Sequence, residues 1–312
     1  MNAHSWLAPV PPTVAIEIGA RRVTAVELPG AGASVTAYAG EGLPEGAVVP
    51  ALSGVNVVQP DVVRAAVQRS LERAGLTGAR RAALVVPDST ARVSLLPFDQ
   101  LPARPQDLDQ LVHWQLRKTA PFPIEEAVVS HFPAAAEGER RVVAAVMARR
   151  DVVVQYEDIL SGLGIHAGVV DLAGFNVMKA VIAAGVPTTG DWLLVHLAGD
   201  ATTLAILRGD ALMFYRHRTA VDEETLSSLV HQTAMYHEDR LGGGSFAKVW
   251  LSGAGATAAD VAAQVRSRLS VPVETVDIRP AAAVDNLPTA SADVLDALAA
   301  PVGVLVRERR AG

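Results

Sequence analysis

The residues best suited to chemistry sit in two matching turns. Val14 to Leu28 reads VAIEIGARRVTAVEL and Leu193 to Leu207 reads LLVHLAGDATTLAIL; the two overlay without a gap, to within about one residue. Each is an apolar strand, a small-residue turn and a second apolar strand, followed by another strand and then a helix. A duplicated unit of this kind can pack as two lobes around a cleft, with each lobe presenting one turn to the same ligand. The backbone N–H groups of two opposed glycine-containing turns suit phosphate. The pattern also fits an ordinary pair of hairpins, so taken alone it leaves both readings open.

Other reactive-looking groups carry less. His231 and His237 stand six apart on a predicted helix, which puts them on different faces and argues against a shared metal. His237 is expected to pack or cap within the core. Glu125 and Glu126 follow Pro-Phe-Pro and read as a solvated strand entrance rather than an acid–base pair. Leu241 to Ser245 (LGGGS) has no strand feeding into it, so it is a helix stop and not a nucleophile elbow. Arginine pairs at Arg80, Arg140, Arg149 and Arg309 read as solvated surface.

The elements that must position these groups alternate along the chain. Strands are expected at Thr13–Ile18, Val23–Leu28, Ala82–Val86, Arg92–Leu96, Val128–Phe132, Arg141–Met147 and Ala167–Val170. A polar turn, Glu137 to Arg140, joins two of them. Pro60–Ala74 has Val63, Ala66, Val67 and Leu71 at helical spacing and Gly75 at its stop. Pro105–Lys118 is the best-marked helix, with Pro105 near its start, acids in its first turn, and Leu108, Leu111, Val112 and Leu116 on one face. Asp151–Leu163, with Val153, Tyr156, Leu160 and Leu163 inward, and Phe175–Ala183 are further helices, and Pro187–Asp191 reads as a linker.

The pattern then restarts. Trp192–Leu197, Thr202–Leu207 and Leu212–Tyr215 form a meander, followed by a helix over Asp222–Leu241 with Leu226, Leu229, Val230, Thr233 and His237 inward. Gly242 to Gly244 end it. Strands at Val249–Ser252 and Val273–Val276 flank a helix at Ala258–Leu269, and a short helix lies near Ala292–Ala299.

Composition agrees with a folded, two-lobed chain. Its 312 residues exceed one typical domain, and 50% of them are hydrophobic, ample for a core. With no cysteine there are no disulfides or thiolate metal sites. A net charge of -6 gives no general attraction to nucleic acid. Met1 to Val10 lacks a basic n-region, so no signal peptide is expected, and no stretch approaches the roughly 18 apolar residues of a spanning helix. A soluble protein whose membrane link is indirect is the expectation.

Several segments resemble the PilM family of actin-like proteins. AIEIGARRVTAVEL is similar to the first phosphate turn of actin-like ATPases in its PilM and FtsA form. Leu111 to Phe132 (LVHWQLRKTAPFPIEEAVVSHF), with Trp114, Pro121, Phe122, Pro123, Ile124, Glu125 and Glu126, resembles the PilM segment in which a helix with a central Trp runs into Pro-Phe-Pro and an acidic pair. WLLVHLAGDATTLAILRGDALMFYR stands in the place of the second phosphate turn, VWLSGAGA (Val249–Ala256) matches the adenosine motif, and APVGVLVRE the closing segment. The resemblance covers nearly the whole chain.

It implies an α/β, actin-like two-lobed fold of duplicated ribonuclease-H-like lobes with an inserted SHS2-type subdomain. Residues 1–85, 169–190 and 300–312 would form the first lobe, 86–168 the insert and 191–299 the second lobe. The nucleotide-binding positions it implies are Glu17, Gly19, Ala20, Arg21, Arg22, Gly199, Thr202, Thr203, Ser252, Gly253 and Gly255, with no catalytic or metal-ligating residue assigned. Several depart from the family pattern. Glu17 stands for the usual Asp, Ala20, Arg21 and Arg22 for hydroxyl residues, Thr24 for Lys, His196 for the second Asp and Ala198 for Gly. Magnesium prefers oxygen ligands, commonly carboxylate with phosphate and water, so these changes weaken its site; Arg21 or Arg22 could pair with phosphate directly. A pseudo-ATPase is expected, with no cofactor required and ATP and magnesium as the ligands to test.

The function implied is a cytoplasmic adaptor of the type IV pilus inner-membrane platform. It would bind the N-terminal cytoplasmic peptide of a PilN-like membrane protein, meet motor and platform proteins, and reach the membrane only through partners. The alternatives are a GspL-like cytoplasmic domain of a type II secretion platform and an active actin-like ATPase or kinase. An end at Gly312 favours the pilus reading over the first, and His196 in place of an acid argues against the second.

Overall fold

β-branched residues on both sides of Gly19 make Val14–Ile18 (β1) and Arg22–Glu27 (β2) an antiparallel hairpin, as their pattern predicts. The computed structural model of the protein describes residues 11–29, 34–136, 140–187, 189–199, 201–219, 224–284 and 290–311. The expectations for Met1–Val10, for most of the turn Glu137–Arg140 and for the helix start at Asp222 lie outside these residues.

The hairpin is extended on one side by Ala37–Gly42 (β4) and on the other by parallel Arg81–Val86 (β5) and His166–Leu172 (β9), giving the order β4-β2-β1-β5-β9. Ser34–Val35 (β3) makes a short parallel bridge to Ala283–Val284 (β15). The second lobe repeats the first. Asp191–Ala198 (β10), Ala201–Arg208 (β11), Ala211–Thr219 (β12), Lys248–Ser252 (β13) and Val273–Thr275 (β14) are ordered β12-β11-β10-β13-β14, with the same mix of antiparallel and parallel pairs. Glu17 faces Thr24 in one hairpin and His196 faces Thr203 in the other, so the gapless overlay of the two sequences is also the structural one. The central strands are buried on both faces, which is why they read as continuous apolar runs rather than alternations.

Helices follow their expected faces with local corrections. Pro60–Ala74 (α1) buries Val63, Ala66, Val67 and Leu71, and Gly75 ends it in the left-handed region at φ 73°. Leu226–Leu241 (α5) starts after Thr225, whose hydroxyl accepts from the Ser228 N–H at 3.2 Å, and it buries Leu229, Val230, Thr233 and His237 with Leu226 half-buried. Arg150–Ser161 (α3) buries Tyr156 and Leu160 as expected, but its other buried residues are Val152 and Ile159, while Val153 and Leu163 are only half-buried. The observed set follows the i, i+4, i+7, i+8 stripe. Asp191, grouped with a linker by sequence, opens β10 and is buried.

Between β5 and α3 lies a module with its own sheet and core. Ala91–Phe98 (β6), Ala127–Pro133 (β7) and Arg141–Arg149 (β8) are ordered β6-β8-β7, and Pro105–Arg117 (α2) lies on one face through Val112 and Leu116. Along β8, Val143, Ala145 and Met147 face this helix while Ala144, Val146 and Ala148 face the main body, the strand period of two. Helix α3, which the sequence reading groups with the insert, packs instead in the first-lobe core, and β9 completes the first-lobe sheet. Its apolar stripe of Val152, Tyr156, Ile159 and Leu160 lies in one cluster with that of α1.

Ala173–Ala184 (α4) and Ala299–Ala311 (α8) pack closely along one another beside the first sheet, with the short Ala292–Ala297 (α7) leading into α8. The sequence predicts only a short helix near Ala292–Ala299, whereas the structure adds α8 as far as Ala311. At the contact, a side chain built on Gly303 would place Cβ 1.8 Å from the Asn176 carbonyl oxygen, so only glycine fits. Gly303→Ala should therefore lower stability by about 1–3 kcal/mol through overpacking, whereas Gly42→Ala, with nothing within 4 Å, should change it little; thermal or urea unfolding of the two variants checks this.

Candidate functional site

In-register pairing brings polar side chains of each sheet to one level. In the second lobe Ser252, His196, Thr203 and His217 form a row across β13, β10, β11 and β12. In the first, Val85, Glu17, Thr24 and Gly40 occupy the equivalent row. Between the two sheets opens a cleft of about 790 Å³, the size of a small-molecule site.

Nine of the eleven sequence-predicted positions line this cleft: Glu17, Gly19, Ala20, Arg21, Arg22, Gly199, Ser252, Gly253 and Gly255. Thr202 and Thr203 do not. Thr203 is buried beneath the wall, and Thr202, one residue earlier on β11, points to the opposite face of the strand. The two turns do meet. Gly199 takes φ 61°, and a Cβ built on it would lie 3.5 Å from the Ala20 Cβ.

The polar groups of these turns already have partners inside the chain. The Gly19 N–H donates to the Arg22 carbonyl at 2.9 Å, closing its own turn. Arg21 donates to Glu45 at 3.0 Å, which holds the Glu45 carboxyl below its usual pKa. The Ser252 hydroxyl and the Gly253 N–H both donate to Asp296, at 2.6 and 2.7 Å. Gly253 must be glycine, because φ is 78° and a Cβ would fall 1.7 Å from the Leu197 carbonyl oxygen.

Sequence reasoning missed the acids beyond Glu17. Asp88 follows β5 in a Pro-Asp-Ser-Thr turn and is 2% exposed. It accepts from the Gly174 N–H in the first turn of α4 at 2.8 Å and from the Thr203 hydroxyl at 2.5 Å. The signal available was its place at the carboxyl end of a parallel strand, where sites of α/β sheets gather. Asp296, on a short apolar helix, carried no such signal. Burial raises its pKa, and the hydrogen bonds from Ser252 and Gly253 oppose the shift. His196 is 6% exposed and, among the described residues, neither ring nitrogen has a hydrogen-bond partner.

Away from the cleft, His237 is a core residue as expected. Its Nε2 lies 2.8 Å from the Asp191 carboxylate, its ring stacks on Phe246 with centroids 4.4 Å apart, and Arg208 completes the group at 2.8 Å. Glu125 and Glu126 make ion pairs with Arg117 and Arg149. Among the described residues no group of three or more His, Asp or Glu side chains could hold a metal ion, and no helix is long and apolar enough to cross a membrane.

Burial pushes Glu17 from its ordinary 4.5 up to about 7; Arg22 opposes the shift, and Asp296 and Asp88 add to it. A carboxyl whose pKa rises on folding binds more protons folded than unfolded across that interval. It therefore opposes folding increasingly as pH rises through the interval, and in full above it. Glu17→Gln should exceed the parent in stability by on the order of 1–3 kcal/mol at pH 8, with the gap closing towards pH 4.5; urea unfolding at both pH values measures it.

With the geometry in place, known proteins can be set beside it. The family model for type IV pilus assembly protein PilM matches residues 15–240. A search among curated proteins returns no match. Among solved structures, a chain of a PilM–PilN type IV pilus biogenesis complex is similar at TM-score 0.82 and 19% identity, covering 96% of this chain and 99% of that one. The cytoplasmic domain of EpsL, an inner-membrane component of the Vibrio cholerae type II secretion system, is similar at TM-score 0.51 and 11% identity, covering 96% and 94%. A Bacteroides thetaiotaomicron protein with an actin-like ATPase fold is similar at TM-score 0.49 and 7% identity, covering 85% and 91%. The two duplicated lobes, the cleft between them and the family match over most of the chain agree: this chain has the actin-like fold and belongs to the PilM family of type IV pilus assembly proteins.

Proposed function

We propose that this protein is a cytoplasmic adaptor of the pilus inner-membrane platform: it binds the N-terminal cytoplasmic peptide of a PilN-like membrane protein and needs no nucleotide to do so. The observation that carries the partner is the likeness, over almost the full length of both chains, to a PilM chain from a PilM–PilN complex. The membrane is reached through that partner, and motor and platform proteins are met on the remaining surface. The division into a first lobe (1–85, 169–190, 300–312), an insert (86–168) and a second lobe (191–299) is kept as the working scheme, with α3 assigned to the first lobe on its packing. The lesser likeness to the type II secretion domain supports the shared fold alone.

The silent cleft rests on the chemistry of its walls. The residues present do not fit magnesium-ATP. The second acid is His196, the donors on Ser252 and Gly253 are held by Asp296, Arg21 by Glu45, and the hydroxyl of Thr203 by Asp88. Asp88 and Asp296, which take those bonds, each have both carboxylate oxygens engaged. A phosphate entering this cleft meets acids as well as Arg21 and Arg22, and gains few unpaired donors.

Calorimetric titration with the N-terminal cytoplasmic peptide of the PilN-like protein from the same genome tests both halves. Binding at micromolar or tighter affinity, about -8 kcal/mol or better, is expected, and it should be unchanged by Mg-ATP. No binding in either condition overturns the adaptor; binding that depends on ATP overturns the silent cleft.

A further inference from the structure

Three parts of the molecule meet where the chain leaves β5 for the insert. Asp88 and Ser89 belong to that turn, Gly174 to α4 of the first lobe, and Thr203 and His217 to the second-lobe sheet. Asp88 takes the Gly174 N–H on one carboxylate oxygen and the Thr203 hydroxyl on the other, at 2.8 and 2.5 Å. His217 continues the chain, with Nδ1 2.9 Å from the Thr203 hydroxyl and Nε2 2.9 Å from that of Ser89. The bonds therefore run from the first lobe through the turn to the second lobe and back to the turn. The helix terminus favours the carboxylate, and a Cβ on Gly174 would fall 2.3 Å from it, so the approach is specific to glycine.

A second layer lies beside it. Phe175, next to Gly174 on α4, meets Phe132 of insert strand β7 edge-on and Tyr215 of β12 face-on, with ring centroids 5.3 Å apart in both pairs. The Ala135 N–H, just beyond β7, donates to the Leu212 carbonyl of β12 at 2.8 Å. Tyr215 and His217 are two apart on one strand and so share a face. The insert and the second lobe are thus joined to each other as well as to the first lobe.

We propose that this joint is an interlobe strut: it holds the two lobes at a fixed separation in the absence of any ligand and ties the setting of the insert to that of the second lobe. Separation of the lobes would strip Thr203 from a buried carboxylate and break the His217 bridge, and a buried acceptor left unpaired costs more than the bond itself is worth. Lobe movement then cannot occur without moving the root of the insert. The inference holds whichever partner or ligand the protein takes.

The absence of cysteine allows clean spin labelling of the full chain. One label pair, Gln68→Cys on α1 and Gln264→Cys on Ala258–Leu269 (α6), spans the lobes; a second, Gln110→Cys on α2 with Gln68→Cys, reports the insert against the first lobe. Ser89→Ala and Thr203→Val each remove one link, and Thr233→Val removes a buried hydroxyl of α5 that bonds only within its helix. Expected are broader distance distributions with longer means for both pairs in Ser89→Ala and Thr203→Val, and unchanged ones in Thr233→Val. Circular dichroism verifies folding, and if Thr203→Val does not fold, Ser89→Ala decides. Unchanged distributions in folded Ser89→Ala overturn the strut, as does equal broadening in Thr233→Val. A shift in the lobe pair without one in the insert pair overturns the tie to the insert.

Discussion

A carboxylate that is nearly out of contact with water must find donors, and Asp88 finds them on two separate bodies. One is the N-terminus of α4, where backbone N–H groups have no partner within the helix. The other is the hydroxyl of Thr203, at the mid-level of the second sheet. Because Asp88 also begins the excursion into the insert, the demand of a single buried charge sets how the insert, the first lobe and the second lobe stand to one another. The aromatic stack of Phe132, Phe175 and Tyr215 fills the space beside it, with ring geometries that favour contact.

The cleft inherits its character from the same arrangement. Duplicated hairpins place two turns tip to tip, with Gly199 against Ala20, and several polar groups around them are satisfied within the chain. Asp296 takes the donors of Ser252 and Gly253, Asp88 takes that of Thr203, and Glu17 is driven towards its neutral form by burial and by those two acids. The positive charge of Arg21 is shared with Glu45.

Much of this could be read along the chain. The hairpins at Gly19 and Ala198–Gly199, α1 with its Gly75 stop, and α2 with Pro105, its acidic first turn and its closing Arg117 are local signals, and each stands where it was expected. Harder to see was α8. Pro301 and Gly303 lie in its first turns and three valines follow or flank them, all poor helix formers; what makes the segment helical is burial against α4, a contact between residues far apart in sequence. In α3, Tyr156 and Leu160 face inward as expected, but the valine that joins them is Val152 rather than Val153, because Val152, Val153 and Val154 are chemically alike and only the core selects among them.

By itself the sequence determined the duplicated strand–turn–strand units and the periodic faces of most helices, because propensity, alternation and turn chemistry act over a few residues. Only the tertiary structure decided that Asp88 and Asp296 are cleft residues, that the Thr203 hydroxyl donates to Asp88, and that α3 packs against α1. Those outcomes depend on which buried donor meets which buried acceptor. Asp88 and Thr203 are separated by 115 positions, and no local pattern encodes such a pairing; it arises when packing removes water and leaves each polar group to be satisfied by whatever the fold has brought beside it.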